Sequence, residues 1–147
     1  MASFILVTNA LIERNGKYLM VEEGKEHVKG QWNIPGGGIE LTESPKEAIR
    51  REVKEETGLE VTELNGLITV LNGNSSKDGR PVLILLISAE VEEGEPKPEF
   101  DQEILGAEFK TRNEIDELDL RNDIFYRALE HNKTQNLPME SLDVYKH

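Results

Sequence analysis

Residues 37 to 59 have the sequence GGIELTESPKEAIRREVKEETGL, and this stretch carries more information than any other in the chain. It predicts a helix that places Glu52, Glu55 and Glu56 on one turn, directly after a run of glycines. Side chains three and four positions apart on a helix are neighbours, and like charges at this spacing repel. Carboxylates crowded in this way indicate a bound cation, and hard divalent ions such as Mg²⁺ prefer oxygen ligands.

The ends of this helix are marked by local signals. Ser44 is a good N-cap, Pro45 suits the first helical position, and Glu47 completes a capping box. Gly58 provides the C-terminal stop, because glycine readily adopts the left-handed conformation found after helices. The sequence therefore predicts a helix over residues 45–57 that carries the acidic turn on a rigid support.

The same stretch resembles the Nudix box, G-x5-E-x7-R-E-U-x-E-E-x-G-U, in which U is a bulky aliphatic residue. The specified positions are filled by Gly37, Glu43, Arg51, Glu52, Val53, Glu55, Glu56, Gly58 and Leu59. Upstream, GQWNIPGG at residues 30 to 37 matches the G-x-W-x-x-P-G-G run common before such boxes. The resemblance implies an α/β fold, an α/β/α sandwich around a central mixed β-sheet.

The resemblance also implies a set of roles. Glu52, Glu55 and Glu56 occupy the metal-binding positions, for Mg²⁺ or Mn²⁺, and Glu52 or Glu56 also activates water. Arg51 orients the carboxylates, with Glu43 or Glu47 as its mate.

The glycines Gly36, Gly37 and Gly38 let the backbone fold tightly and bring the loop beside the helix, where they would contact the cofactor. Family members usually recruit a further acidic residue from outside the box. Glu99, Asp101 and Glu103 are the candidates in this sequence. Glu103 is favoured as the additional catalytic residue, because it directly precedes an apolar strand.

The rest of the chain alternates apolar segments with turn signals. Strands are predicted at 4–12, 17–21, around Trp32, within 59–71, at 81–91 and at 104–110, and short helices at 111–118 and 122–131. Asn15-Gly16 is a strong hairpin signal between the first two strands. Loops are expected at 23–30, 72–80 and 92–100, and a loosely held tail from Lys133. Residues 81–91 are the most apolar segment and should form a central strand, buried on both faces.

Length and composition limit the architecture. With 147 residues, 37% of them hydrophobic and 31% charged, the chain is expected to form one globular domain over 1–147. No apolar run approaches the ~20 residues of a membrane span, so no membrane partner is expected. The sequence contains no cysteine, which excludes disulfides and thiolate metal sites and fits a cytoplasmic location.

The formal net charge of −12 argues against a nucleic-acid partner, because phosphate backbones require clustered Lys and Arg. A small polyphosphate can still bind, because a bound divalent cation inverts the local field. The expected partner is therefore a nucleotide or an organic pyrophosphate. The chain is expected to act as a monomer or homodimer.

These features favour a metal-dependent hydrolase that cleaves phosphoanhydride bonds of nucleoside di- or triphosphates or of related nucleoside-diphosphate-linked compounds. Two alternatives stay open. One is a phosphatase-like Nudix enzyme acting on thiamine-type pyrophosphates, although such proteins tend to have alanine at the position of Gly36. The other is a Nudix fold used as a non-catalytic ligand sensor, in which loss of a box carboxylate would be expected.

Overall fold

The computed structural model describes residues 3–98, 103–132 and 136–143, which fold into a mixed β-sheet with helices on both faces. The strands are β1 (Ile5–Arg14), β2 (Lys17–Glu23), β3 (Trp32–Asn33), β4 (Gly36–Gly38), β5 (Val61–Asn74), β6 (Pro81–Val91) and β7 (Ile104–Thr111). The helices are α1 (Pro45–Thr57), α2 (Arg112–Asp116) and α3 (Ile124–His131), and 3₁₀ turns span Glu26–Val28 and Met139–Leu142. None of these described helices is long and apolar enough to cross a bilayer.

The sheet has the order β3-β2-β1-β6-β5, with β4 paired to β1 and β7 paired to β2. β1 and β6 are parallel, and the other pairings are antiparallel. Asn15 and Gly16 connect β1 to β2 with positive φ values of 51° and 78°, as a two-residue hairpin turn requires. The predicted hairpin and the predicted mixed sheet are both confirmed.

Alternation along β1 divides the core into two layers. Ala10 and Ile12 pack with Ile49 of α1 on one face of the sheet. Leu11 packs with Phe125 of α3 on the opposite face. Successive strand residues point to opposite faces of the sheet. These contacts therefore show that α1 covers one face and α3 covers the other. This arrangement is the α/β/α sandwich expected from the sequence.

Helix α1 begins and ends at the predicted residues. The Ser44 side chain accepts a hydrogen bond from the Glu47 amide at 3.2 Å, and Glu47 accepts one from the Ser44 amide at 3.2 Å. Gly58 follows the helix in the left-handed conformation, with φ 75°. The reciprocal cap and the glycine stop therefore give this helix defined ends.

Two loops differ from the prediction. β5 continues to Asn74, beyond the predicted residue 71, because Asn72, Gly73 and Asn74 keep pairing with β6 in a long hairpin. The segment between β2 and β3 contains a 3₁₀ turn in which Val28 is buried.

In β6, Leu86 and Ile87 are adjacent and both fully buried, so this strand is covered on both faces only at its middle.

Residues 136–143 pack against the α1 face of the sheet, where the sequence predicted a loosely held tail from Lys133. Leu67 and Leu137 exchange backbone hydrogen bonds of 2.8 and 3.0 Å. Met139 is buried in the core below α1. These contacts depend on residues far apart in the chain, which local composition does not reveal.

Candidate functional site

A cavity of about 990 Å³ is lined by residues of α1, of β4 and of the start of α3. It lies at the upper end of the size range of small-molecule pockets, about 300–1,000 Å³. The residues predicted for the site all line it: Gly36, Gly37, Gly38, Arg51, Glu52, Glu55, Glu56 and Glu103. The fold therefore brings the glycine run, the acidic turn and the favoured additional acid to one surface.

Arg51 organises the acidic turn. Its Nε and Nη2 each donate to one oxygen of Glu43, both at 2.7 Å. Its Nη1 donates to Glu52 Oε1 at 2.8 Å and to Glu55 Oε2 at 3.3 Å. The hydrogen bonds from Arg51 hold the pKa of Glu43 at about 2, below the ordinary 4.5. Glu43 is thus the mate of Arg51.

Glu47, the other predicted mate of Arg51, instead caps the helix. Its carboxylate accepts a hydrogen bond from the Ser44 amide. The capping box therefore accounts for Glu47, and Arg51 is a positioning residue held by Glu43.

Glu56 has a different environment from the other two carboxylates. Its Oε1 accepts a hydrogen bond from the Gly36 amide at 2.8 Å. Burial raises the pKa of Glu56 well above its ordinary value, and the negative charge of Glu52 raises it further. Burial also raises the pKa of Glu52, outweighing the opposite effect of Arg51. Burial is therefore the main cause of both raised pKa values.

Two of the three glycines in β4 are required by close approach. A Cβ on Gly36 would lie 2.0 Å from the carbonyl oxygen of Thr8, inside β1. A Cβ on Gly37 would lie 2.6 Å from Cδ of Glu52. At Gly38 the nearest atom would be 3.9 Å away, so a side chain fits there. Gly36 thus lets β4 pair closely with β1, and Gly37 makes room for a site carboxylate.

The donor set fits a hard divalent cation. The acidic turn offers carboxylate oxygens alone, which Mg²⁺ prefers over nitrogen or sulfur ligands. Arg51 contacts Glu52 and Glu55, and Glu56 holds an amide hydrogen bond and a raised pKa. Within the described ranges, no three acidic or histidine side chains already converge as a metal cluster. Glu52, Glu55 and Glu56 remain the predicted ligands, and Arg51 is hydrogen-bonded to the first two.

The additional acidic residue was harder to choose from sequence. Glu103 is exposed, lines the cavity, and accepts a hydrogen bond from the Gly24 amide through its backbone carbonyl at 2.7 Å. Glu99 and Asp101 lie outside the described residues.

Glu23 was not among the residues predicted for the site. This residue lines the cavity, is 7% exposed, and accepts a hydrogen bond from Arg121 Nη1 at 3.2 Å. It lies just after an irregularity in the β2–β7 pairing, between Glu22 and Glu23. Because the pairing shifts there, the alternation of side chains along β2 does not predict which face of the sheet Glu23 lies on.

The chain is similar to known proteins in both sequence and fold. The family model described as NUDIX domain matches residues 4–129. An ADP-ribose pyrophosphatase from Methanocaldococcus jannaschii is 30% identical over 130 residues, covering 87% of this chain and 69% of that protein. The putative nudix hydrolase 1 of Caenorhabditis elegans is 32% identical over 132 residues, and the match spans 84% of this chain but only 34% of that longer protein.

A solved structure agrees along nearly the whole chain. The NUDIX hydrolase from Nitrosomonas europaea aligns with a TM-score of 0.87 and 27% identity, covering 97% of this chain and 98% of that one. The family match, the relatives and the shared fold all point to the same assignment. The chain belongs to the Nudix family of pyrophosphate-bond hydrolases.

Proposed function

We propose that the protein hydrolyses the phosphoanhydride bond of nucleoside-diphosphate-linked compounds, in a reaction that requires Mg²⁺ or Mn²⁺. The observation that carries the proposal is the cavity of about 990 Å³ lined by both the acidic turn and the glycine strand. The similarity to an ADP-ribose pyrophosphatase makes ADP-ribose the first substrate to test.

The reaction adds water across one phosphorus–oxygen–phosphorus bridge. The water oxygen bonds to one phosphorus atom, the bridging oxygen leaves with the other phosphate, and the water gives up a proton. Bound divalent cations would supply positive charge to the phosphoryl oxygens and to the leaving group. Most of the remaining catalysis in such reactions is positioning and electrostatics.

The side chains of the site divide this work. Glu52, Glu55 and Glu56 would hold the cations, with Arg51 keeping the first two oriented. Glu52 or Glu56 would accept the proton of the attacking water. Glu56 is suited to this because the Gly36 amide binds only one of its oxygens, Oε1. Glu103, which also lines the cavity, would act as the additional acid.

The test is a substrate panel with Mg²⁺: ADP-ribose, nucleoside triphosphates and thiamine diphosphate. We expect AMP and ribose 5-phosphate from ADP-ribose, and reaction in ¹⁸O-labelled water identifies the phosphorus that is attacked. Glu56→Gln should lower kcat by about 10²–10⁴-fold, the range for loss of a positioned acid–base group. Glu47→Gln is the matched control, because it changes a carboxylate on the same helix while glutamine still completes the cap.

Two outcomes would overturn the proposal. One is unchanged kcat in both Glu55→Gln and Glu56→Gln. The other is tight binding of intact ADP-ribose with no turnover of any compound in the panel, which would make the protein a ligand sensor.

A further inference from the structure

Arg121 lines the cavity and is held by both its backbone and its side chain. Its backbone amide donates to the carbonyl oxygen of Trp32 at 2.9 Å, which ties it to β3. Its Nη1 donates to Glu23 at the end of β2. β3 continues within three residues to Gly36, whose amide binds Glu56. The backbone of Arg121 is therefore linked to the acidic turn by a short path, and its guanidinium is held by Glu23.

Glu23, the partner of Arg121, is a buried carboxylate, and burying a charge costs free energy. Glu23 is 7% exposed and lies close enough to Glu56 for its charge to act on that carboxyl. A buried carboxylate is unfavourable unless it is paired, and a second negative charge nearby adds repulsion. Arg121 is the partner that this buried carboxylate requires, and the same hydrogen bond holds the guanidinium in place.

Other arginines in the cavity wall are held differently. Arg80 pairs with Asp78 at 2.8 Å, and Arg127 pairs with Asp123 at 3.0 Å. Both of those partners come from the same short segment, and both arginine side chains are about half exposed, at 48% and 52%. The Arg121 side chain is 31% exposed, and its partner is 98 positions away.

Arg121 also has donors to spare. A guanidinium carries five N–H donors in a planar fork that matches the oxygens of a phosphate. Among the described contacts, Glu23 takes the one at Nη1. Arg51 is committed to the carboxylates and to the carbonyl oxygen of Gly38, at 3.1 Å. A guanidinium that is held in place and has donors left over is suited to binding an anion.

We propose that Arg121 binds a phosphoryl group of the substrate, with Glu23 as its positioning residue. This inference rests on the proposed function and deepens it. The planar fork would contact two oxygens of one phosphate, and the carboxylates of the acidic turn would hold the cations that neutralise the diphosphate. A fixed donor pair of this kind lowers the ordering cost of substrate binding.

The experiment compares Arg121→Ala, Arg121→Lys and Glu23→Gln with Arg112→Ala. Arg112→Ala is the matched control because it removes the same charge. Arg112 is paired with Asp116, four residues on, and is not among the residues that line this cavity. The first measurement is KM and kcat for ADP-ribose with Mg²⁺. The second is the Kd of ADP-ribose by calorimetry in EDTA, which requires neither metal nor turnover.

We expect Arg121→Ala to raise both KM and Kd about 10–100-fold, since hydrogen bonds to charged groups contribute about 1.5–3 kcal/mol. Arg121→Lys should recover part of the loss, because lysine keeps the charge without the fork. Glu23→Gln should give an intermediate loss, since glutamine still accepts a hydrogen bond without the charge. Arg112→Ala should change neither quantity more than about twofold.

The outcomes separate the two proposals. Hydrolysis by the wild type with Arg121→Ala and Arg121→Lys equal to Arg112→Ala in both measurements overturns the inference alone. Absence of hydrolysis with a Kd that still depends on Arg121 overturns the proposed function and supports the phosphate site. If Arg121→Ala does not fold, Arg121→Lys and Glu23→Gln carry the same comparison, and wild-type Kd and KM in both would overturn the inference.

Discussion

Replacing Gly37 with alanine would put a methyl group where the carboxylate of Glu52 lies. The new Cβ would be 2.6 Å from both Cδ and Oε1 of Glu52 and 2.8 Å from Oε2, whereas ordinary contacts begin at 3.4 Å. The end of a flexible side chain can move away more easily than backbone can. We therefore expect the carboxylate to shift by about 1 Å, a displacement of the kind that can cost ~10²-fold in rate.

Catalysis and metal binding should suffer much more than stability. Metal sites require ligand distances within about ±0.2 Å, so the displaced carboxylate should bind Mg²⁺ more weakly. We expect kcat to fall about 10²-fold. Gly37 does not have a positive φ, so alanine adds no backbone strain there. The free energy of unfolding should change by no more than about 1 kcal/mol, because alanine also restricts the unfolded chain.

The assay is Mg²⁺ titration by calorimetry together with kcat on ADP-ribose and urea unfolding. Gly38→Ala is the matched control, since its Cβ would meet nothing closer than 3.9 Å. It should retain wild-type kcat and Mg²⁺ affinity. Equal kcat and equal Mg²⁺ affinity in the two variants would refute the steric reasoning, and so would unfolding of Gly37→Ala.

Two further predictions concern stability. Arg51 holds the pKa of Glu43 at about 2 in the folded protein, below its ordinary value of 4.5. The stabilisation from Glu43 is therefore fully present above pH 4.5 and is lost as the pH falls towards 2. The difference in unfolding free energy between wild type and Glu43→Gln, measured in urea, should therefore be smaller at pH 3 than at pH 6; an equal difference at both would contradict this. Met139→Ala should cost about 2–5 kcal/mol as a loss from the core, whereas Leu137→Ala, at a side chain 57% exposed, should stay within about 0.5 kcal/mol. Equal melting temperatures for the two variants would show that residues 136–143 add nothing to the core.

Features that depend on local chemistry were predictable from sequence. Helix α1 begins and ends as predicted, because Ser44, Glu47 and Gly58 each act within a few residues of the position they mark. The turn at Asn15 and Gly16 was predictable for the same reason. The acidic turn required only the helical period, since three- and four-residue spacings place side chains side by side.

Features that depend on distant contacts were not predictable in the same way. Sequence left Glu43 and Glu47 as equal mates for Arg51, and only the folded loop shows that Glu43 reaches it. Glu23 and Arg121 are 98 positions apart, and no period links them. The packing of residues 136–143 depends on an irregular part of β5 around Leu67. A single sequence has no signal for such pairings, because they are set by the path of the sheet.

The distribution of charge around Arg51 bears on the proposed cation site. Its Nε and Nη2 are taken by Glu43, so a single nitrogen, Nη1, serves both Glu52 and Glu55. One shared donor cannot neutralise two carboxylates, and Glu56 receives only an amide hydrogen bond. A divalent cation at the turn would therefore gain most at Glu56, which has no hydrogen bond from a charged donor among the described contacts. Glu56→Gln should weaken Mg²⁺ binding more than Glu55→Gln does, and the reverse order in calorimetry would contradict this account.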